Sequence, residues 1–211
     1  HRAIDTLYKK IESLGVDPAY PIIPIYSYNT ENCEAFLKKL DKAGNMTIVI
    51  SEDDLNSLVT ETMPAEALEK GAAAVVVQKD LGLERQILVE NTRSAYAYIC
   101  AAFYGHPERN LKIIGVTGTN GKTTSCFILK SILDGMGHKT GLIGTVKNIV
   151  GNKEYPAALT TPDCYELFGL YKEMVEAGCE YCVMEVSSQA LDQHRVDGVH
   201  FEAAIFTNLT R

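Results

Sequence analysis

The sequence predicts an α/β fold with a mostly parallel sheet. Three observations carry that reading. Short apolar segments of strand length alternate with longer segments of helical period. One apolar segment, Leu111–Val116, runs without a polar break into a glycine-rich turn and then a helix. No internal repeat, low-complexity tract or long linker interrupts the alternation.

The elements follow in order. Residues 2–14 read as a helix, with Ile4, Leu7, Ile11 and Leu14 on one stripe. Pro21–Tyr28 is β-rich but holds Pro21 and Pro24, which suits an edge strand or extended segment. Thr30 or Asn32 caps a helix through Lys42, which Gly44 ends. Met46–Ile50 is a short strand, and Ser51-Glu52-Asp53-Asp54 opens a helix to about Val59. Pro64–Lys70 is a short helix, Ala72–Val77 a buried strand and Ile87–Val89 another. Thr92–Tyr104 is a helix closed by Gly105 and Pro107. After the Leu111–Val116 strand come a helix over Lys122–Met136, a strand over Lys139–Gly144 and a helix over Asp163–Ala177. Strands Tyr181–Val186 and Ala203–Phe206 complete the pattern. A break near residues 107–111 divides a smaller α/β domain, residues 1–110, from a second domain, residues 111–211.

Composition narrows the function classes. The 211 residues are 46% hydrophobic and 22% charged, which suits a globular protein rather than a disordered one. The net charge of -7 and sequence pI near 5.3 argue against a nucleic-acid partner. No apolar run approaches the roughly 20 residues that span a bilayer, and the start lacks a secretory leader. The expectation is a cytoplasmic, monomeric protein with no membrane partner. The six cysteines sit mostly singly in predicted elements, as small buried hydrophobes do in a reducing compartment. Cys179 and Cys182 have C-x-x-C spacing but no second pair, which argues against a metal or redox site.

The turn Gly118-Thr119-Asn120-Gly121-Lys122-Thr123-Thr124 carries the chemistry. A buried strand, a glycine turn and a helix start aim backbone N–H groups and the positive helix end at one place, which favours an anion. Gly118 and Gly121 let the backbone approach phosphate oxygens closely. Lys122 adds a full charge within reach of the β- and γ-phosphates, Thr123 offers a hydroxyl to Mg2+, and Thr124 adds a phosphate contact. The match to G-x-x-x-x-G-K-[ST] is imperfect, because the first glycine position falls on Val116. The reading is a P-loop mononucleotide-binding domain that takes ATP with Mg2+. The plainer alternative is a chance glycine turn before a helix.

The segment Gly115–Thr124 resembles the ATP loop of the Mur ligase family, which adds amino acids to the cell-wall precursor peptide. Leu159-Thr160-Thr161-Pro162 resembles the family's Thr-Thr-Pro loop. Met184–Leu191 with Gln193-His194-Arg195 is similar to a substrate segment of the tripeptide-forming branch, and Phe206–Arg211 to the strand before its metal-binding histidine. Ala67–Val77, Asn91-Thr92-Arg93 and Phe103–Pro107 resemble the end of that branch's first domain. The resemblance covers about residues 63–211.

The resemblance implies an ATP-dependent amide ligase in peptidoglycan precursor synthesis. Its substrates are a UDP-N-acetylmuramoyl dipeptide, ending in glutamate, and a diamino acid, joined through an acyl phosphate. It implies that Lys122 is catalytic and that Thr123 and Glu185 ligate Mg2+. It also implies that Thr160, Thr161, Ser187, Gln193 and Arg195 hold the UDP-linked substrate. Bland readings stand beside these: Glu185 as a solvated strand-end carboxylate, Thr160-Thr161 and Ser187-Ser188 as helix caps, and His194 as a structural histidine. The aromatics Tyr96, Tyr98, Phe103 and Tyr104 read as packing.

Two departures qualify the match. Residues 1–62 lack the family's uridine-binding Asp-Ser-Arg and Gly-x-x-x-Asp-Gly-His-like segments. The sequence also ends at Arg211, before the metal-binding histidine, the modified lysine and the amino-acid-binding domain. The expectation is therefore an incomplete portion that does not ligate alone. The alternatives are a nucleotide-binding module without ligase activity, and a folylpolyglutamate or cyanophycin synthetase-like ligase.

Overall fold

A computed structural model describes strand residues 22–25 and 48–51, residues 64–69 and residues 72–210. The helices expected over 2–14 and 30–42 lie outside the described residues, as does the one expected from Ser51 to about Val59 except for Ser51 itself, which ends a strand rather than opening a helix. The chain forms two compact units that part between Ile99 and Cys100.

The first unit holds a four-stranded parallel sheet in the order β1 (Ile22–Ile25), β2 (Ile48–Ser51), β3 (Ala74–Val77), β4 (Gln86–Leu88). The proline-bearing β1 takes an edge, where a missing N–H costs least. β3 is buried along its whole length, as expected for an Ala-Val-Val-Val run inside a parallel sheet. Residues 64–69 are helical. Helix α1 (Thr92–Phe103) begins where Asn91 Oδ1 accepts from Ser94 N at 2.9 Å. It ends where Gly105 takes φ +77° and His106 N donates back to Ala101 O. The division between the units falls inside α1, and the 3-10 turn Pro107–Asn110 lies within the second unit.

The second unit is built on a six-stranded sheet ordered β10-β5-β9-β6-β7-β8. Its members are β5 (Lys112–Thr117), β6 (Thr140–Ile143), β7 (Lys147–Val150), β8 (Lys153–Pro156), β9 (Tyr181–Glu185) and β10 (Phe201–Phe206). The first four in spatial order are parallel, and β7 and β8 are antiparallel additions. The β7–β8 hairpin was not expected from the sequence. Its Gly151-Asn152 turn, with Gly151 at φ +57°, is the signal that could have found it.

Helices cover both faces of this sheet. Cys126 of α2 (Lys122–Gly135) packs in one cluster with Val116, Leu142 and Val183. Neighbouring side chains along a strand point to opposite faces, so Met184 meets the other side. There α3 (Cys164–Glu176) supplies Tyr171, whose hydroxyl donates to Met184 Sδ at 3.0 Å, and Met174, which lies against Gly141. Burial, the largest cause in each case, pushes the Cys126 thiol up to about 12 and holds the Cys164 and Cys182 thiols well above the ordinary range. Cys179 and Cys182 are both buried and free, so their spacing reflects packing at a helix–strand junction.

Parallel pairing aligns the carboxyl ends of the strands. In the β5–β9 ladder Val116 sits opposite Glu185, and in the β5–β10 ladder Thr117 sits opposite Phe206. The turn after β5 is thus flanked by the end of β9 on one side and the exit of β10 on the other.

Candidate phosphate and metal site

The turn after β5 uses its glycines where the backbone demands them. Gly118 has φ +130°, and a Cβ there would overlap Thr207 Oγ1 and come within 2.9 Å of Asn208 O. Gly121 has φ +84° and forms the N-cap of α2 without a side-chain cap. Ser125 N donates to Gly121 O, so the N–H groups of Lys122, Thr123 and Thr124 precede the first intrahelical bond. Those donors and the positive helix end make an anion-favouring corner.

Lys122 is half-buried, and its ammonium folds over the turn, donating to Gly118 O at 2.7 Å and Thr119 O at 3.2 Å. Thr124 is exposed at the start of the helix. Thr119 and Asn120 are held from the side by the segment after β10. Thr119 N donates to Asn208 O at 2.9 Å, and Asn120 N donates to Asn208 Oδ1 at 3.2 Å.

Glu185, 2% exposed, is the one buried carboxylate beside this corner among the described residues. Its Oε2 accepts from Thr123 Oγ1 at 2.9 Å and Thr145 Oγ1 at 3.2 Å, and its Oε1 accepts from Thr145 N at 2.9 Å. The reading of Glu185 as a solvated surface carboxylate does not survive this burial. Gly144 makes room for the carboxylate, since a Cβ there would overlap Glu185 Oε1. Asn148 Oδ1 accepts from Gly144 N and holds that turn in place.

Thr145 was missed by sequence reasoning. It bridges two groups of candidate residues, because its hydroxyl lies 3.0 Å from Thr160 Oγ1. Next to Thr160, Thr161 is fully buried; its hydroxyl donates to Glu185 O at 2.8 Å and accepts from Ser187 N at 3.0 Å. The cap of α3 is Asp163 rather than either threonine. Ser187 does cap α4 (Ser188–Asp192), accepting from Ala190 N at 3.1 Å. Arg195 Nη1 donates to Thr161 O at 3.0 Å, and Nη2 donates to Gln193 Oε1. His194 pairs with Asp197, as a structural histidine does. The candidate residues therefore form one continuous patch at the carboxyl ends of β5, β6 and β9, where open α/β sheets bind ligands.

A cavity of about 590 Å³ lies at the opposite ends of these strands, lined by Glu108, Arg109, Lys112, Glu180, His200 and Glu202 among others. None of the candidate residues reaches it. Hard oxygen donors from Thr123 and Glu185 suit Mg2+, which takes few protein ligands and fills its shell with water and phosphate oxygens. Among the described residues no three His, Cys, Asp or Glu converge.

Residues 116–211 match the family model described as Mur ligase middle domain. The chain is 54% identical over 149 residues to UDP-N-acetylmuramoyl-L-alanyl-D-glutamate--2,6-diaminopimelate ligase of Clostridium perfringens, covering 69% of this chain and 31% of that protein. It is 50% identical over 147 residues to the protein of the same name from Geobacillus kaustophilus, covering 69% and 30%. A solved structure of a UDP-N-acetylmuramoyl-L-alanyl-D-glutamate--2,6-diaminopimelate ligase superposes with a TM-score of 0.67 at 25% identity, covering 81% of this chain and 35% of that one. The chain spans about a third of the length of the curated relatives it matches.

Proposed function

We propose that the chain, whose residues 116–211 match the family model described as Mur ligase middle domain, is the ATP-binding portion of an amide ligase joining 2,6-diaminopimelate to UDP-N-acetylmuramoyl-L-alanyl-D-glutamate. The relatives' names supply the substrates. The observation that carries the reading is the meeting of Thr123 with the buried Glu185 beneath the Lys122 turn.

In this reading the triphosphate lies across the start of α2. The N–H groups of residues 121–124 face its oxygens, and the Lys122 ammonium leaves Gly118 O and Thr119 O for the β- and γ-phosphates. Thr123 and Glu185 hold Mg2+, which when bound offsets the negative charge of the phosphates. The glutamate carboxylate of the dipeptide attacks the γ-phosphorus, forming a C–O–P bond and releasing ADP. The amine of the diamino acid then attacks the carbonyl carbon, and inorganic phosphate leaves. Gathering those negative charges is the main physical task, and oriented donors and Lys122 perform it.

The five proposed substrate residues divide by exposure. Thr161 is fully buried with its hydroxyl spent internally, so it positions Glu185 and Ser187. Thr160, Ser187, Gln193 and Arg195 are partly exposed and contact the UDP-linked substrate. Arg195 suits a phosphate or carboxylate through its planar fork. Among the described residues no helix is long and apolar enough to cross a membrane. A cytoplasmic location and a monomeric state complete the proposal.

The test is substrate coupling in the natural protein that carries this sequence. Phosphate release is expected only when ATP, Mg2+, the UDP-linked dipeptide and 2,6-diaminopimelate are all present, with one UDP-tripeptide formed per phosphate. Steady ATP hydrolysis indifferent to both acceptors contradicts the reading.

A further inference from the structure

We propose that Asn208 is a positioning residue for the phosphate turn, an inference that rests on the phosphate-site reading above. The carboxamide of Asn208 pairs with the backbone of Asn120 as a neighbouring strand would. Asn120 N donates to Asn208 Oδ1 at 3.2 Å, and Asn208 Nδ2 donates to Asn120 O at 3.1 Å. The main chain of Asn208 continues the pairing, accepting from Thr119 N at 2.9 Å. Thr207 Oγ1 adds a second donor to Asn120 O at 2.7 Å.

This arrangement divides the donors of the turn into two sets. The N–H groups of Thr119 and Asn120 are spent on residue 208, so they do not face a phosphate. The anion is left with the N–H groups of residues 121–124 at the start of α2, together with Lys122. Side-chain amide pairing fixes the peptide planes of residues 119 and 120, and so the direction in which Gly121 enters the helix. The parallel β5–β10 register delivers residue 208 to this point, because Thr207 N continues the ladder by donating to Thr117 O. Gly118 is glycine for the same reason: the close approach of residues 207 and 208 leaves no space for a Cβ.

The test uses this chain, inorganic tripolyphosphate with Mg2+ as the probe, and backbone amide exchange. Asn208→Ala is expected to weaken tripolyphosphate binding about tenfold or more, as loss of hydrogen bonds that pre-organise a site does. Its Asn120 amide should exchange faster while the Thr119 amide, held by a main-chain oxygen, stays protected. Asn208→Asp keeps the acceptor and should retain protection at Asn120, which separates loss of pairing from loss of fold. Thr210→Val removes only the side-chain contact from Asn120 Nδ2 and should bind within about twofold of the unaltered chain. Equal binding by Asn208→Ala, unchanged Asn120 exchange, or an equal loss in Thr210→Val each overturns the inference alone. An unaltered chain that binds no tripolyphosphate removes the phosphate-site reading and this inference with it.

Discussion

Lys122→Ala is expected to weaken ATP·Mg2+ binding at least about a hundredfold while leaving the fold intact. The ammonium supplies the only formal positive charge on the turn from Gly118 to Thr124. In the free chain its bonds run to Gly118 O and Thr119 O, both on the same turn. Removing the side chain therefore costs two neutral-acceptor hydrogen bonds in a partly exposed place, a small loss of stability. The triphosphate loses a close full charge, which the helix dipole alone cannot replace, since its equivalent is about half a charge. Isothermal titration with ATP·Mg2+ checks the affinity, and a thermal melt checks the fold. Equal affinity in both proteins counts against the assignment of Lys122. Raising the salt should weaken the unaltered chain more than the variant, because a screened interaction has been deleted.

Glu185→Gln is expected to abolish the enhancement of ATP binding by Mg2+ while retaining most of the Mg2+-independent binding. Glutamine keeps the volume and still offers an oxygen to Thr145 N, whose contact with Oε1 is 2.9 Å. It replaces the charged oxygen facing Thr123 and Thr145 with an amide nitrogen, and a hard divalent cation loses the buried carboxylate of the patch. Glu185→Ala should behave differently. It leaves three donor contacts, on the half-buried Thr123 and the exposed Thr145, without their acceptor, and water reaches them in part, so the expected cost in denaturant unfolding is about 1–2 kcal/mol. ATP titrations with and without Mg2+ separate the two variants. If Mg2+ enhances binding by Glu185→Gln as strongly as before, the metal assignment is lost.

The strand–turn–helix at the centre of the site was legible because each part has a local signal. Leu111–Val116 is an apolar run, Gly118 and Gly121 mark positive φ, and Lys122 opens a helix. Glu185 was legible as a carboxylate at a strand end, but its burial was not, because burial depends on Gly144 and Thr145 arriving from β6. Thr145 lies between Gly144 and Val146 with no periodic or spacing signal. Its role exists only through the β6–β9 register. The same holds for Asn208, whose grip on Asn120 follows from parallel pairing across some ninety residues of chain. Thr161 was expected to touch substrate, yet its hydroxyl joins Glu185 O to Ser187 N. Non-local register, rather than residue type, decided each of these cases.

The most direct measurement replaces Mg2+ with paramagnetic Mn2+ and follows the backbone amides of this chain as ATP·Mn2+ is added. Broadening should be strongest at Gly121–Thr124, Thr145 and Glu185, and weak at Lys112 and Glu180 at the opposite ends of the strands. Broadening centred on Lys112 and Glu180, or none at Gly121–Thr124 under saturating ATP·Mn2+, would contradict a triphosphate and metal seated where β5 meets α2.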